Sequence, residues 1–104
     1  MTEPLILEMT GRLDQAASPG MESRIGTALD EGPPALVLDF SAVTFVSSIG
    51  LRTLLMTAKR CRRQRAKLAL HSVPPQIADL FRLSGLTEFF PTYADRAAAL
   101  KAVV

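Results

Sequence analysis

The chain has 104 residues, enough for one domain with its own core and too few for two. Apolar residues make up 48% and charged residues 21%, which are values of a globular chain rather than a disordered one. No apolar run exceeds four residues (Ala35–Leu38 and Ala97–Leu100 are the longest), against the ~20 that a spanning helix needs, so membrane insertion is excluded. Met1-Thr2-Glu3-Pro4 has no basic segment ahead of an apolar stretch, so no signal peptide is expected and the expected compartment is the cytosol. One cysteine and one histidine permit neither an internal disulfide nor a structural zinc site, and no metal or cofactor is expected.

The net charge of +2 hides an asymmetry. Lys59, Arg60, Arg62, Arg63, Arg65 and Lys67 fall within nine positions, and the remainder, with six basic and ten acidic residues, carries −4. A weakly acidic body with one basic spot is not the spread of cations that nucleic-acid binding uses. The run has two readings. Cations near a helix end complement its dipole on a solvated face, or they form a salt-sensitive patch for an acidic partner or a lipid headgroup surface.

In chain order, Leu5–Thr10 reads as a buried strand that Gly11 ends. Ser18-Pro19 reads as an N-cap followed by proline in the first helical turn, and Ala17, Met21, Ile25 and Ala28/Leu29 form one apolar stripe. Gly32-Pro33-Pro34 stops that helix. Ala35–Phe40 is the clearest strand, and its near-continuous apolar run suits cover on both faces of a parallel sheet. A connection over Ser41–Val46 is expected, then a second helix from Ser47–Ser48 with Leu51, Leu54, Leu55 and Ala58 inward. Arg52, Lys59 and Arg63 fall on its wet side. Lys67–His71 reads as the third strand, and Pro74-Pro75 opens a short helix with Ile77, Leu80 and Phe81 inward, closed by Gly85. Phe89-Phe90 is expected as a brief fourth strand, and Thr92 with Asp95 as a capping box for a last helix through Ala97, Leu100 and Val104. Strand and helix alternate four times. The expected architecture is one α/β domain over residues 1–104, with a mostly parallel four-stranded sheet and about four helices.

Catalytic and nucleotide motifs are absent: no Gly-rich phosphate loop, no Gly-x-Ser-x-Gly elbow, no zinc-protease His pair. A Ser–His–Asp site would have to use His71 with Asp39 as its orienter; the plainer reading is a histidine closing a strand beside Ser72. Cys61 stands among arginines, which would lower its pKa, or it simply fills a helix edge. The informative segment is Phe45-Val46-Ser47-Ser48-Ile49-Gly50-Leu51-Arg52. The first N–H groups of a helix lack internal partners and carry partial positive charge. A serine there either caps the helix or carries a phosphate that the terminus tolerates. Gly50 lowers helix propensity and is expected to leave bare backbone beside Ser48, open to another protein.

From about Leu7 to Leu100 the chain resembles the STAS family, named for sulfate transporters and anti-sigma factor antagonists, and most of all its free-standing bacterial antagonists. Gly11-Arg12-Leu13-Asp14 is similar to the family's Gly-x-Leu-Asp turn, and Leu36–Phe40 to its strand ending in Asp or Asn. Phe45–Leu51 is similar to its Asp-Ser-Ser/Thr-Gly-Leu signature, and Leu83-Ser84-Gly85-Leu86 with Phe89-Phe90-Pro91 to its closing segment. The resemblance implies a non-enzymatic partner switch. An unphosphorylated antagonist binds an anti-sigma factor that is also a serine kinase with a histidine-kinase-like ATPase fold, and releases its client. Phosphorylation ends the complex and a PPM-type phosphatase resets it. By position the acceptor is Ser48, with Ser47 second, and the docking surface comprises Asp14, Asp39, Ser47, Ile49, Gly50, Leu51 and Arg52. Asp14 and Asp39 are expected close to Ser48.

Two departures stand out. The signature's aspartate is Ser47 here and its second Ser/Thr is Ile49. The family's usual first strand is expected to be short or absent, which exposes a pairing edge. The alternative the resemblance offers is a STAS scaffold subunit docked on the ATPase of an ABC lipid transporter.

Overall fold

The computed structural model describes residues 2–104. The elements are β1 (Leu5–Leu13), α1 (Ser18–Asp30), β2 (Ala35–Val46), α2 (Ser48–Gln64), β3 (Lys67–His71), α3 (Pro75–Leu83), a 3-10 turn (Thr87–Phe89), β4 (Thr92–Tyr93) and α4 (Arg96–Val103). The four strands form one sheet in the order β1-β2-β3-β4, and every pair is parallel. This is the expected α/β architecture with four helices among the described residues.

Period-two alternation along β2 explains both layers. Leu36, Leu38 and Phe40 enter the larger core, where Met21, Ile25 and Leu29 of α1, Leu54, Ala58 and Cys61 of α2, and Ile77 and Phe81 of α3 meet them. Ala35 and Val37 face the other way and pack with Ala69 against Ala99 and Val103 of α4. A strand covered on both faces needs a continuous apolar run, and Ala35–Leu38 are all 0–1% exposed.

Four boundaries differ from the sequence expectation. β1 does not stop at Gly11; it runs to Leu13, with Gly11 at φ +70° beside a break in register against β2. β2 likewise continues through Ser41–Val46, gaining one residue on β1 at each of two irregularities. The expected strand at Phe89-Phe90 is instead the end of the 3-10 turn, and β4 is the two residues Thr92–Tyr93. Phe90 is apolar because it packs in the core, its ring 4.7 Å from that of Phe81. Asp95 caps α4 through Ala98 N–H at 2.8 Å, so no capping box forms with Thr92. Ala99 and Val103 go inward in α4, while Ala97 and Val104 are exposed.

Candidate functional site at the start of α2

The site forms where the end of β1 meets the first turn of α2. Ser47, extended at φ −81° and ψ 174°, is the N-cap. Its hydroxyl accepts from Gly50 N–H at 3.1 Å and donates to the Leu13 carbonyl at 3.3 Å. Its own N–H reaches the same carbonyl at 3.0 Å. Ser47 is therefore fully engaged in joining β1 to α2. Ser48, the first residue of α2, is exposed, and its hydroxyl makes no hydrogen bond among the described residues. The first turn of α2 contains no acidic residue, so its partial positive charge is not offset from within the helix.

Gly50 corrects an expectation. It is buried rather than open to a partner, and a Cβ there would overlap the carbonyl of Leu13, the atom that Ser47 binds. The glycine permits the close approach of β1 that fixes Ser47. Leu51 is half-buried and packs on the core, whereas Ile49 and Arg52 are exposed. Phe45 opens the segment quoted above but was not among the expected docking residues, yet it is 41% exposed, and Ile49 is 42% exposed. The Arg12 guanidinium lies 4.3 Å from the centroid of the Phe45 ring. Two exposed apolar side chains thus stand close in sequence on either side of Ser48. The signal for Phe45 was hidden because the irregular register at Val43–Phe45 breaks the alternation that would have shown its direction.

Asp14 follows Leu13 directly and sits at this end of the sheet. Its carboxylate accepts from Ala17 N–H at 3.1 Å and pairs with Arg12 at 3.4 Å. That bond closes the turn ahead of α1, whose N-cap is Ala17 with no side-chain cap, so the expected cap at Ser18 does not form. The Ser18 hydroxyl turns inward, donates to the Asp14 carbonyl at 3.0 Å, and accepts from Thr53 of α2 at 3.4 Å.

Asp39 is placed apart, which corrects the expectation that it lies beside Ser48. Val46 lies seven positions further along β2, on the order of 20 Å at strand rise. It lies between Glu8 and His71 in the sheet and pairs with Arg96 of α4 at 3.6 Å. Its burial acts to raise the carboxyl pKa. The Ser41 N–H at 2.9 Å, the Ser41 hydroxyl, His71 and Arg96 together outweigh that and hold it below its ordinary value.

The Ser–His–Asp contacts of a hydrolase are not formed among the described residues. His71 is buried, with Nδ1 2.9 Å from the Ser72 hydroxyl and Nε2 without a partner, and among the described residues no carboxylate hydrogen-bonds the ring. Cys61 is also corrected: burial, opposed only in part by Arg60, pushes its thiol up to about 11. The basic run is divided. Arg60 pairs with Asp30 and Gln64, Arg62 lies over the Phe89 ring at 4.5 Å, and Lys59, Arg63, Arg65 and Lys67 are exposed.

The family model for the STAS domain matches residues 2–99. The putative anti-sigma factor antagonist BtrV of Bordetella bronchiseptica is 32% identical over 98 residues, covering 94% of this chain and 84% of that protein. The anti-sigma-F factor antagonist RsfB of Mycobacterium tuberculosis is 36% identical over 55 residues, 53% of this chain and 45% of RsfB. Among solved structures, an anti-sigma factor antagonist from Mycobacterium paratuberculosis superposes with a TM-score of 0.86 at 32% identity, covering 96% of this chain and 85% of that one. Unphosphorylated SpoIIAA shares the fold, with a TM-score of 0.79 at 20% identity over 96% of this chain and 88% of its own. With the sheet order, the cap at Ser47 and these matches in agreement, the chain belongs to the STAS family.

Proposed function

We propose that this protein is a non-enzymatic, cytosolic anti-sigma factor antagonist whose binding to a serine kinase is ended by phosphorylation of Ser48. The kinase is an anti-sigma factor with a histidine-kinase-like ATPase fold, and a PPM-type phosphatase restores the binding form. The relatives named anti-sigma factor antagonists support the general role. The observation that carries the acceptor assignment is the division of labour between the two serines: Ser47 is committed to Leu13 and Gly50, while Ser48 is exposed with a free hydroxyl.

The energetics follow from that geometry. A phosphate brings about −1.5 to −2 charges. In the free protein the start of α2 favours it by ~0.3–1 kcal/mol. In a complex the docking surface would be Phe45, Ile49 and Arg52 with Asp14 at its edge, and the dianion would be desolvated among apolar groups near a carboxylate. Such placement costs several kcal/mol, and ~3 kcal/mol lowers affinity roughly a hundredfold. The protein tolerates the phosphate alone and not when docked.

The test is to incubate the protein with its cognate kinase and ATP and map phosphate by mass spectrometry. Label on Ser48 in wild type, and none in Ser48→Ala, is expected; equal labelling of Ser48→Ala overturns the assignment.

A further inference from the structure

We propose that the open edge of β3 below β4 is a second docking site, one that takes a short, extended, acidic segment of a partner protein as an added strand. β4 covers β3 only at Leu70 and His71. Leu70 N–H reaches the Pro91 carbonyl at 2.8 Å, and Ser72 N–H reaches the Tyr93 carbonyl at 3.1 Å. By the period of two, Leu68 turns its N–H and C=O to that same edge. Among the described residues no strand meets it there. The preceding chain is Pro91, which has no N–H to give, and Phe90, whose N–H is used by the Thr87 carbonyl at 3.2 Å.

A cleft of about 310 Å³ lies along this edge, lined by Leu68, Cys61, Phe89, Arg62, Lys67 and Glu88 among others. Its wall at Cys61 is a neutral thiol. The Phe89 ring holds the Arg62 guanidinium at 4.5 Å, and Lys67 is exposed beside it. Among the described residues Glu88 is the one carboxylate in the lining, and the cations Arg62 and Lys67 outnumber it. An open strand edge offers alternating donors and acceptors, which another backbone satisfies best. The cations then select acidic side chains on that backbone. The open stretch, Lys67–Ala69, spans about 10 Å at strand rise, room for three or four residues. Arg62 is about 20 Å along α2 from Ser48, so this site is independent of the phosphorylation proposed above.

The probe is a capped hexapeptide of alternating valine and glutamate, titrated into the 15N-labelled full chain, with a valine–lysine hexapeptide as control. The valine–glutamate peptide is expected to shift the amide signals of Leu68, Arg62 and Phe89 and to slow hydrogen exchange at Leu68. Lys67→Glu and the milder Lys67→Gln are both expected to weaken it, the former about tenfold, while Ser48→Glu leaves it unchanged. The proposal is overturned if Leu68 does not respond at millimolar peptide or if the lysine peptide binds equally well. It is also overturned if phosphatidylserine vesicles, and not the peptide, engage these cations.

Discussion

Leu13 and Gly50 meet backbone to backbone: a Cβ on residue 50 would overlap the Leu13 carbonyl oxygen and stand 2.8 Å from its carbon. The carbonyl so approached is the one that holds both the N–H and the hydroxyl of Ser47. Gly50→Ala therefore has to push β1 and α2 apart, and the other atoms are backbone that cannot swing aside. We expect it to destabilise the protein by about 1–3 kcal/mol, read as a lower urea midpoint with an unchanged slope. A neutral Gly50→Ala would show that the junction has slack.

The two serines separate under the same measurement. Ser47→Ala removes the N-cap and is expected to cost about 1 kcal/mol. Ser48→Ala removes a hydroxyl with no internal partner and is expected to stay within about 0.5 kcal/mol of wild type. The reverse ranking would contradict the division of labour between them.

Asp39 gives the protein a pH dependence of known sign. Its carboxyl lies below its ordinary 3.8 in the folded state, so the unfolded chain binds the proton more readily. The stability this provides is complete well above 3.8 and is lost as pH falls below that value through the lower folded pKa. Asp39→Asn is expected to flatten the fall in denaturation midpoint over that acidic range. A profile unchanged by Asp39→Asn would show that the contacts with Ser41, His71 and Arg96 do not hold the charge.

Phe81 is the hub of the aromatic core, its ring 6.3 Å from Phe40 and 4.7 Å from Phe90. Phe81→Ala empties the space between α3, β2 and the segment before β4, and is expected to cost about 3–5 kcal/mol. A loss below about 1 kcal/mol, far short of that range, would mean that the surrounding chain collapses into the space.

Much of this was legible because periodicity reports burial. The run Ala35–Leu38 announced a strand covered on both sides, and the stripe through Leu54 and Ala58 announced the inner face of α2. Phe89-Phe90 misled for the same reason: apolar character called for burial, and a 3-10 turn beside Phe81 met that need without a strand. β4, two residues long, has no period to detect. The irregularities near Asp39–Phe45 leave no local mark, so neither the length of β2 nor the outward turn of Phe45 was visible. At the site, the helix start was plain, but which serine is occupied depends on the Leu13 carbonyl, 34 residues away in sequence. Long-range partners of that kind also decide that Gly50 faces inward and that Asp39 belongs with Arg96.

The most direct measurement is the affinity of the cognate serine kinase for wild type, Ser48→Glu and Ser48→Ala by isothermal titration. We expect Ser48→Ala to bind about as tightly as wild type and Ser48→Glu to lose most of the roughly hundredfold expected of a phosphate. Undiminished binding of Ser48→Glu, or loss in Ser48→Ala alone, would contradict a switch built on negative charge at this hydroxyl.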